Sequence, residues 1–230
     1  MKRIIQSFLL LLFLIDVGPS FAEEIEVRAI VRRPPVSGLP RTGQTVSYKT
    51  GDDGDPLLGQ KGNPITDRFT AGTGTETGTV TDIATGLMWE QKTNDGTIHD
   101  VDNRYNWLEA FNDFLNKPVE PLGLNMMNGG IGFAGHYDWR IPNVSELRTI
   151  VNYGAFKPAI YQIFNTPPYF TYGGTGGSVP DAPYWSSTRD HELSGYCWFV
   201  DFYTGVTVDI SSGNSREYRV RGVRGGEGGS

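Results

Sequence analysis

Cysteine is almost missing from this chain. Cys197 is the only one in 230 residues, so no intramolecular disulfide can form and stability must come from packing. Histidine is scarce too: His99, His136 and His191 share no zinc-like spacing with one another or with Cys197. An excess of positive charge is also lacking. The 20 Lys and Arg face 26 Asp and Glu, net −6, which opposes wholesale binding to nucleic acid or other polyanions. After residue 15 no stretch approaches the ~20 apolar residues that span a bilayer. Helical periodicity is confined to two short segments, which excludes a long helical bundle. What the chain has instead is 30 glycines and 12% aromatic residues, the composition of a loop-rich β or α+β protein whose interior is filled by large rings.

Lys2 and Arg3 precede an apolar run from Ile4 to Ile15 broken only by Gln6 and Ser7, and Gly18-Pro19 then leads to Ser20-Phe21-Ala22. This is the pattern of a secretory signal peptide over residues 1–22, with Glu23 as the new N-terminus. Its removal takes away two bases (Lys2, Arg3) and one acid (Asp16), moving the net charge from −6 to −7. The expected product is exported to the periplasm, the cell surface or the medium, with no transmembrane segment after cleavage. Residues 23–66 are rich in Pro, Gly and charge and read as a leader, either a linker or a strap over the domain. Within it, Leu39 to Gly43 spells a sortase-type LPxTG pattern, but without the apolar tail that such a signal needs. The regular pattern covers residues 67–226, and 227–230 are a flexible Gly-rich tail.

Thr79 to Ile83 and Leu87 to Glu90 are strand-like runs around a turn ending in Gly86, which predicts a hairpin. Asn106 with Glu109 and Asn143 with Glu146 are capping boxes that start two helices. The first has Trp107, Ala110, Phe111, Phe114 and Leu115 at helical spacing and stops at Lys117-Pro118. The second has Val144, Leu147, Ile150 and Val151 on one face and meets Gly154. Residues 154–183 hold many Gly, Pro and Tyr and no sustained period, and a stretch of that kind inside a domain is often functional. Trp198 to Tyr203 and Val206 to Ile210 alternate as strands around Thr204-Gly205, and Tyr218 to Arg224 is expected as the closing strand.

Several words in this order resemble a known family, the domain named after the C-terminal domain of the Legionella collagen-like adhesin (Lcl). They are Thr79-Val80-Thr81-Asp82, Thr85-Gly86-Leu87-Met88-Trp89, Asp138-Trp139-Arg140-Ile141-Pro142-Asn143, Glu146-Leu147, Tyr184-Trp185-Ser186-Ser187-Thr188 and Val220-Arg221-Gly222-Val223-Arg224-Gly225-Gly226. The resemblance implies an α+β, C-type-lectin-like fold: two helices packed on short antiparallel sheets, a long loop region after the second helix, and first and last strands paired. It also implies a bacterial cell-envelope setting. The family's named member is an adhesin whose domain binds sulfated glycosaminoglycans as a trimer, so a homo-oligomer is one implication. Many members carry a Cys pair where this chain has Phe114 and Gly222, which implies that these two positions lie near each other.

The implied function is that of an exported recognition module, an adhesin binding a glycan or protein ligand through its long loop region. It is not that of an enzyme. The alternatives are a formylglycine-generating-enzyme-like oxidase, disfavoured because those enzymes use two active-site cysteines, and a purely structural envelope component. The expected ligand-binding residues are Tyr169, Tyr172, Arg189, Asp190, His191 and Glu192, because helix and strand positions are committed to the core while Gly and Pro free this segment. Arg216, Arg219, Arg221 and Arg224 form the only dense basic patch and are the alternative, against the plainer reading that they satisfy internal carboxylates. No cofactor is expected. Asp52, Asp53 and Asp55 around Gly54 offer hard oxygens for Ca²⁺, but Thr50 to Lys61 fails the EF-hand spacing, and a solvated acidic turn is the better reading. The five tryptophans and Cys197 read as core.

Overall fold

The computed structural model describes residues 40–57, 68–164, 183–212 and 216–225. Strands β1 (Phe69–Ala71), β2 (Thr79–Asp82) and β3 (Leu87–Glu90) form an antiparallel meander. Strands β4 (Pro183–Arg189), β5 (Tyr196–Asp201) and β6 (Val206–Ser211) form a second antiparallel sheet in the order β4-β5-β6. The last strand, β7 (Val223–Gly225), joins the first sheet, whose order is β1-β2-β3-β7. The architecture is therefore mixed α and β with two antiparallel sheets and a few short helices.

The two predicted helices start where their caps place them. Asn106 accepts the Glu109 N–H at 3.0 Å while Glu109 accepts the Asn106 N–H at 2.8 Å, and Asn143 and Glu146 repeat the arrangement at 2.8 and 2.8 Å. The first helical segment ends at Leu115, just before Lys117-Pro118 as expected, but changes form on the way, and the second ends earlier than expected. Helix α1 (Trp107–Glu109) passes after one turn into a π-helical stretch, Ala110–Leu115. Its wider turn brings residues four and five apart to one face, which buries Ala110, Phe114 and Leu115 together and leaves Trp107 and Phe111 half-buried. A short irregular turn, α2 (Met127–Gly130), follows. Helix α3 (Val144–Thr149) stops before Gly154, because Val151 leaves it to bridge Ile160 and the Asn152 N–H donates to Ala159 O.

Strand alternation sorts the core into two clusters. Leu87 and Trp89 of β3, Val223 of β7, Tyr184 of β4 and Val200 of β5 belong to one, with Leu147, Ile150 and Phe164. Met88 and Trp185, the next residues along β3 and β4, belong to the other, as do Cys197 and Val220, three residues before Val200 and Val223, with Phe114, Leu124 and Trp139. Because successive strand residues point to opposite faces, β3, β4 and β5 are covered on two sides, while the edge strands β1 and β6 keep exposed residues. Tyr184 stands opposite Val200 and Trp185 opposite Phe199, so the register keeps each pair in its own cluster.

Three expectations are corrected here. The last strand does not pair with the first; β7 pairs with β3, Trp89 facing Val223 and Leu87 facing Gly225. The closing strand is also shorter than Tyr218 to Arg224. Tyr218 and Arg219 instead make isolated bridges to Tyr105 and Tyr184, since the chain there crosses between elements. Finally, Trp107 and Trp198 are only half-buried, whereas Trp89, Trp139 and Trp185 are core. Phe114 is fully buried, and a Cβ built on Gly222 would meet Leu124 and Trp139 of the same cluster at 2.7 and 3.2 Å. Those contacts leave no room for a longer side chain at 222 unless Leu124 moves.

Candidate functional site

The expected site residues Tyr169 and Tyr172 lie outside the described residues, as do the signal segment and the sortase-like Leu39. Arg189, Asp190, His191 and Glu192 lie where β4 turns into β5. The strand register breaks between Trp185 and Arg189, a bulge that re-aims the end of β4. The turn that follows is built by its own polar atoms. Asp190 Oδ1 accepts the N–H groups of Glu192 at 2.7 Å and Leu193 at 3.0 Å, its N–H donates to Tyr196 O, and Gly195 supplies the positive φ of +83°. The N–H groups of Leu193 and Glu192 hold the Asp190 carboxyl below its ordinary value. The Ser212 N–H and hydroxyl both donate to Gly195 O, tying the turn to the end of β6. On this fixed backbone Arg189, His191 and Glu192 are exposed, and the Arg189 guanidinium lies over the half-buried Trp107 ring at 5.2 Å.

The terminal arginines divide into two kinds. Arg219 and Arg221 are turned into the fold and are 7% and 1% exposed, so they do not form an outward basic face. Arg219 pairs with Asp102 at 3.1 Å. Arg221 donates to Glu90 O and Phe164 O, and its guanidinium lies 5.4 and 5.6 Å from the Phe164 and Tyr184 rings. Arg224 bonds both oxygens of Asp138 at 2.7 and 3.2 Å, while Arg216 is exposed.

The acidic turn also uses its own oxygens. Asp52 accepts the N–H groups of Tyr48, Lys49 and Gly54, Asp55 accepts those of Gly51 and Leu57, and Asp53 accepts the Thr42 hydroxyl. The Tyr48 N–H foremost holds the Asp52 carboxyl below its ordinary value. Among the described residues no three His, Cys, Asp or Glu converge as metal ligands. Cys197 is fully buried, and burial pushes its thiol up, away from the reactive thiolate.

Sequence reasoning missed a buried charged cluster beneath β3. Glu90 is fully buried on the same face as Met88. Its Oε1 accepts from Lys92 Nζ at 3.0 Å and from His99 Nδ1 at 2.9 Å, and its Oε2 accepts the Gly222 N–H at 2.9 Å. The Glu90 N–H donates to Gly222 O at 2.9 Å, so the two main chains are closed by a side chain as well as by the ladder. Lys92 Nζ sits over the Phe114 ring at 4.7 Å. Burial raises the Glu90 carboxyl, but Lys92, His99 and the Gly222 N–H outweigh it and leave it below its ordinary value. Burial lowers the Lys92 ammonium, with Glu90 pulling the other way. Such a cluster can fix register or carry protons, and here both Glu90 oxygens are engaged. The available signal was Glu90-x-Lys92: in a strand, residues two apart share a face, so two opposite charges beside Met88 should have been read as one buried pair.

No helix among the described residues is long and apolar enough to cross a membrane. No curated protein matches the chain. The family model of the Lcl C-terminal domain matches residues 78–224, from the glycine before β2 to the arginine inside β7, and thus takes in β2 to β6, most of β7 and both capped helices, with β1 outside it. With well over half of its length matched by that model, the chain belongs to the Lcl C-terminal domain family.

Proposed function

We propose that this chain is an exported, surface-acting recognition module of the adhesin type, with a C-type-lectin-like arrangement, that binds a glycan or protein ligand and performs no catalysis. The observation that carries the reading is the β4–β5 turn. It presents Arg189, His191 and Glu192 to solvent on a backbone fixed by Asp190 and by the sheet beneath, while Arg219, Arg221, Lys92 and Glu90 are spent inside the fold. A rigid scaffold carrying an exposed polar turn is how binding loops are usually positioned. Family membership supports the adhesin class, and the burial of Cys197 supports a non-catalytic role. The carboxylates of Asp52 and Asp55 are already satisfied by backbone donors, which favours binding without Ca²⁺.

The test is an array of glycans and surface proteins probed with the exported chain, with Ca²⁺ and with chelator. The expected result is saturable binding to at least one ligand, unchanged by chelator. Saturable binding to none would favour the structural envelope component, and binding lost in chelator would overturn the cation-free reading.

A further inference from the structure

A cleft of about 240 Å³ lies where residues 40–42 cross helix α3, lined by Pro40, Arg41, Thr42, Ser145, Arg148 and Tyr153 among others. We propose that it binds a small organic carboxylate carried on a ring-shaped body. The inference does not rest on the β4–β5 turn, since none of these residues belongs to it.

The leader segment makes one wall, and its position is fixed by main-chain bonds. Tyr161 Oη donates to Arg41 O at 2.9 Å and the Tyr153 N–H donates to Thr42 O at 2.7 Å. Gly43 packs so closely that a Cβ there would lie 2.2 Å from Asn152 Oδ1. The Arg41 side chain is thus carried on an anchored backbone. Its Nε is buried and has no hydrogen-bond partner, an arrangement that native proteins rarely tolerate without an acceptor nearby. Arg148 is exposed on α3, and among the described residues neither guanidinium forms an ion pair.

Charge and donors select the ligand. A chain of net −6 here brings two arginines to one cleft whose lining, among the described residues, holds no Asp or Glu. The Thr42 hydroxyl is committed to Asp53, but among the described residues the hydroxyls of Ser145 and Tyr153 make no hydrogen bond and can meet polar groups beside the anion. Planar forks match a carboxylate through paired N–H bonds, and the faces of Pro40 and Tyr153 offer an apolar seat for a ring. The volume falls below the roughly 300–1,000 Å³ of drug-sized sites, which suits one ring rather than a chain of them.

The experiment is calorimetric or NMR titration of the full exported chain with glucuronate and with benzoate. Glucose, benzyl alcohol and inorganic phosphate are the comparators. We expect at least one acid to saturate, its neutral counterpart to bind at least about tenfold more weakly, and phosphate to bind more weakly than the acid. The preferred acid tells a sugar acid from an aromatic one. Arg41→Ala and Arg148→Ala should each weaken binding by about tenfold or more, and Arg148→Lys should weaken it less, with unchanged circular dichroism. Arg148 is exposed, so its replacement keeps the test valid even if Arg41→Ala perturbs folding. Failure of both acids to saturate, binding of neutral counterparts or phosphate as tight as that of the acid, or unaltered binding in Arg148→Ala would overturn the proposal.

Discussion

Replacing Glu90 by Ala is expected to destabilise the fold by about 3–5 kcal/mol, the cost of removing one partner from a buried ion pair. A typical domain has only about 5–15 kcal/mol to lose, so urea unfolding should show a large fall in midpoint. The physical reason is that Lys92 and His99 would keep their buried donors without the carboxylate, and the Gly222 N–H would lose its acceptor between β3 and the approach to β7. Glu90→Leu combined with Lys92→Met should be more stable than Glu90→Leu alone, because the uncompensated charge is then gone as well. Equal stability of parent and Glu90→Ala would show that the cluster does not hold the fold.

The same cluster sets a pH dependence. A carboxyl whose folded value is depressed contributes stability that is fully present above its unfolded value and is lost as pH falls through the folded one. Glu90 is depressed, so the parent should lose stability on acidification below the ordinary glutamate range, and Glu90→Gln should lose less over that window. Lys92 works in the opposite sense to a stabilising lysine. Burial lowers its ammonium, so holding it charged costs stability that returns as pH rises through its folded value.

Asp82→Ala is the second large effect, again about 3–5 kcal/mol. Arg68 is 3% exposed and bonds both Asp82 oxygens at 2.9 and 2.6 Å, and its NH2 group reaches Thr149 O at the end of α3. Asp82 also accepts the Ala84 N–H and the Thr85 hydroxyl, which close the β2–β3 turn. One carboxylate therefore serves the hairpin, the guanidinium and, through it, the helix. Asp82→Asn keeps an acceptor and should lose less than Asp82→Ala. Thermal unfolding that left Asp82→Ala within about 1 kcal/mol of the parent would contradict this account.

What was legible in the sequence was local. Asn106 with Glu109 and Asn143 with Glu146 fix both helix starts because donor and acceptor lie three residues apart, and the Thr79–Glu90 hairpin follows from its own alternation. What was not legible depends on distant partners. Arg219 and Arg221 look like a basic stripe until Asp102, Glu90 and Phe164 arrive from elsewhere in the chain to engage them. β7 pairs with β3 across most of the domain, which no local pattern specifies. The carboxylate cleft needs Arg41 from the leader and Arg148 from α3, and neither carries a signal alone. The Arg189–Glu192 segment was legible as a polar cluster, but not the bulge and the Asp190 bonds that shape it.

The fold spends its buried charges on its own structure, and the proposed ligand surface is the β4–β5 turn. The most direct test compares two folded variants against the tightest ligand found on the array. One carries Arg189→Ala, His191→Ala and Glu192→Ala, leaving Asp190 to shape the turn; the other carries Arg216→Ala and Arg224→Ala. Binding should be at least about tenfold weaker, or 1.4 kcal/mol, in the turn variant and little changed in the arginine variant. Full binding by a well-folded turn variant, with loss in the arginine variant, would contradict it and move the site to the end of the chain.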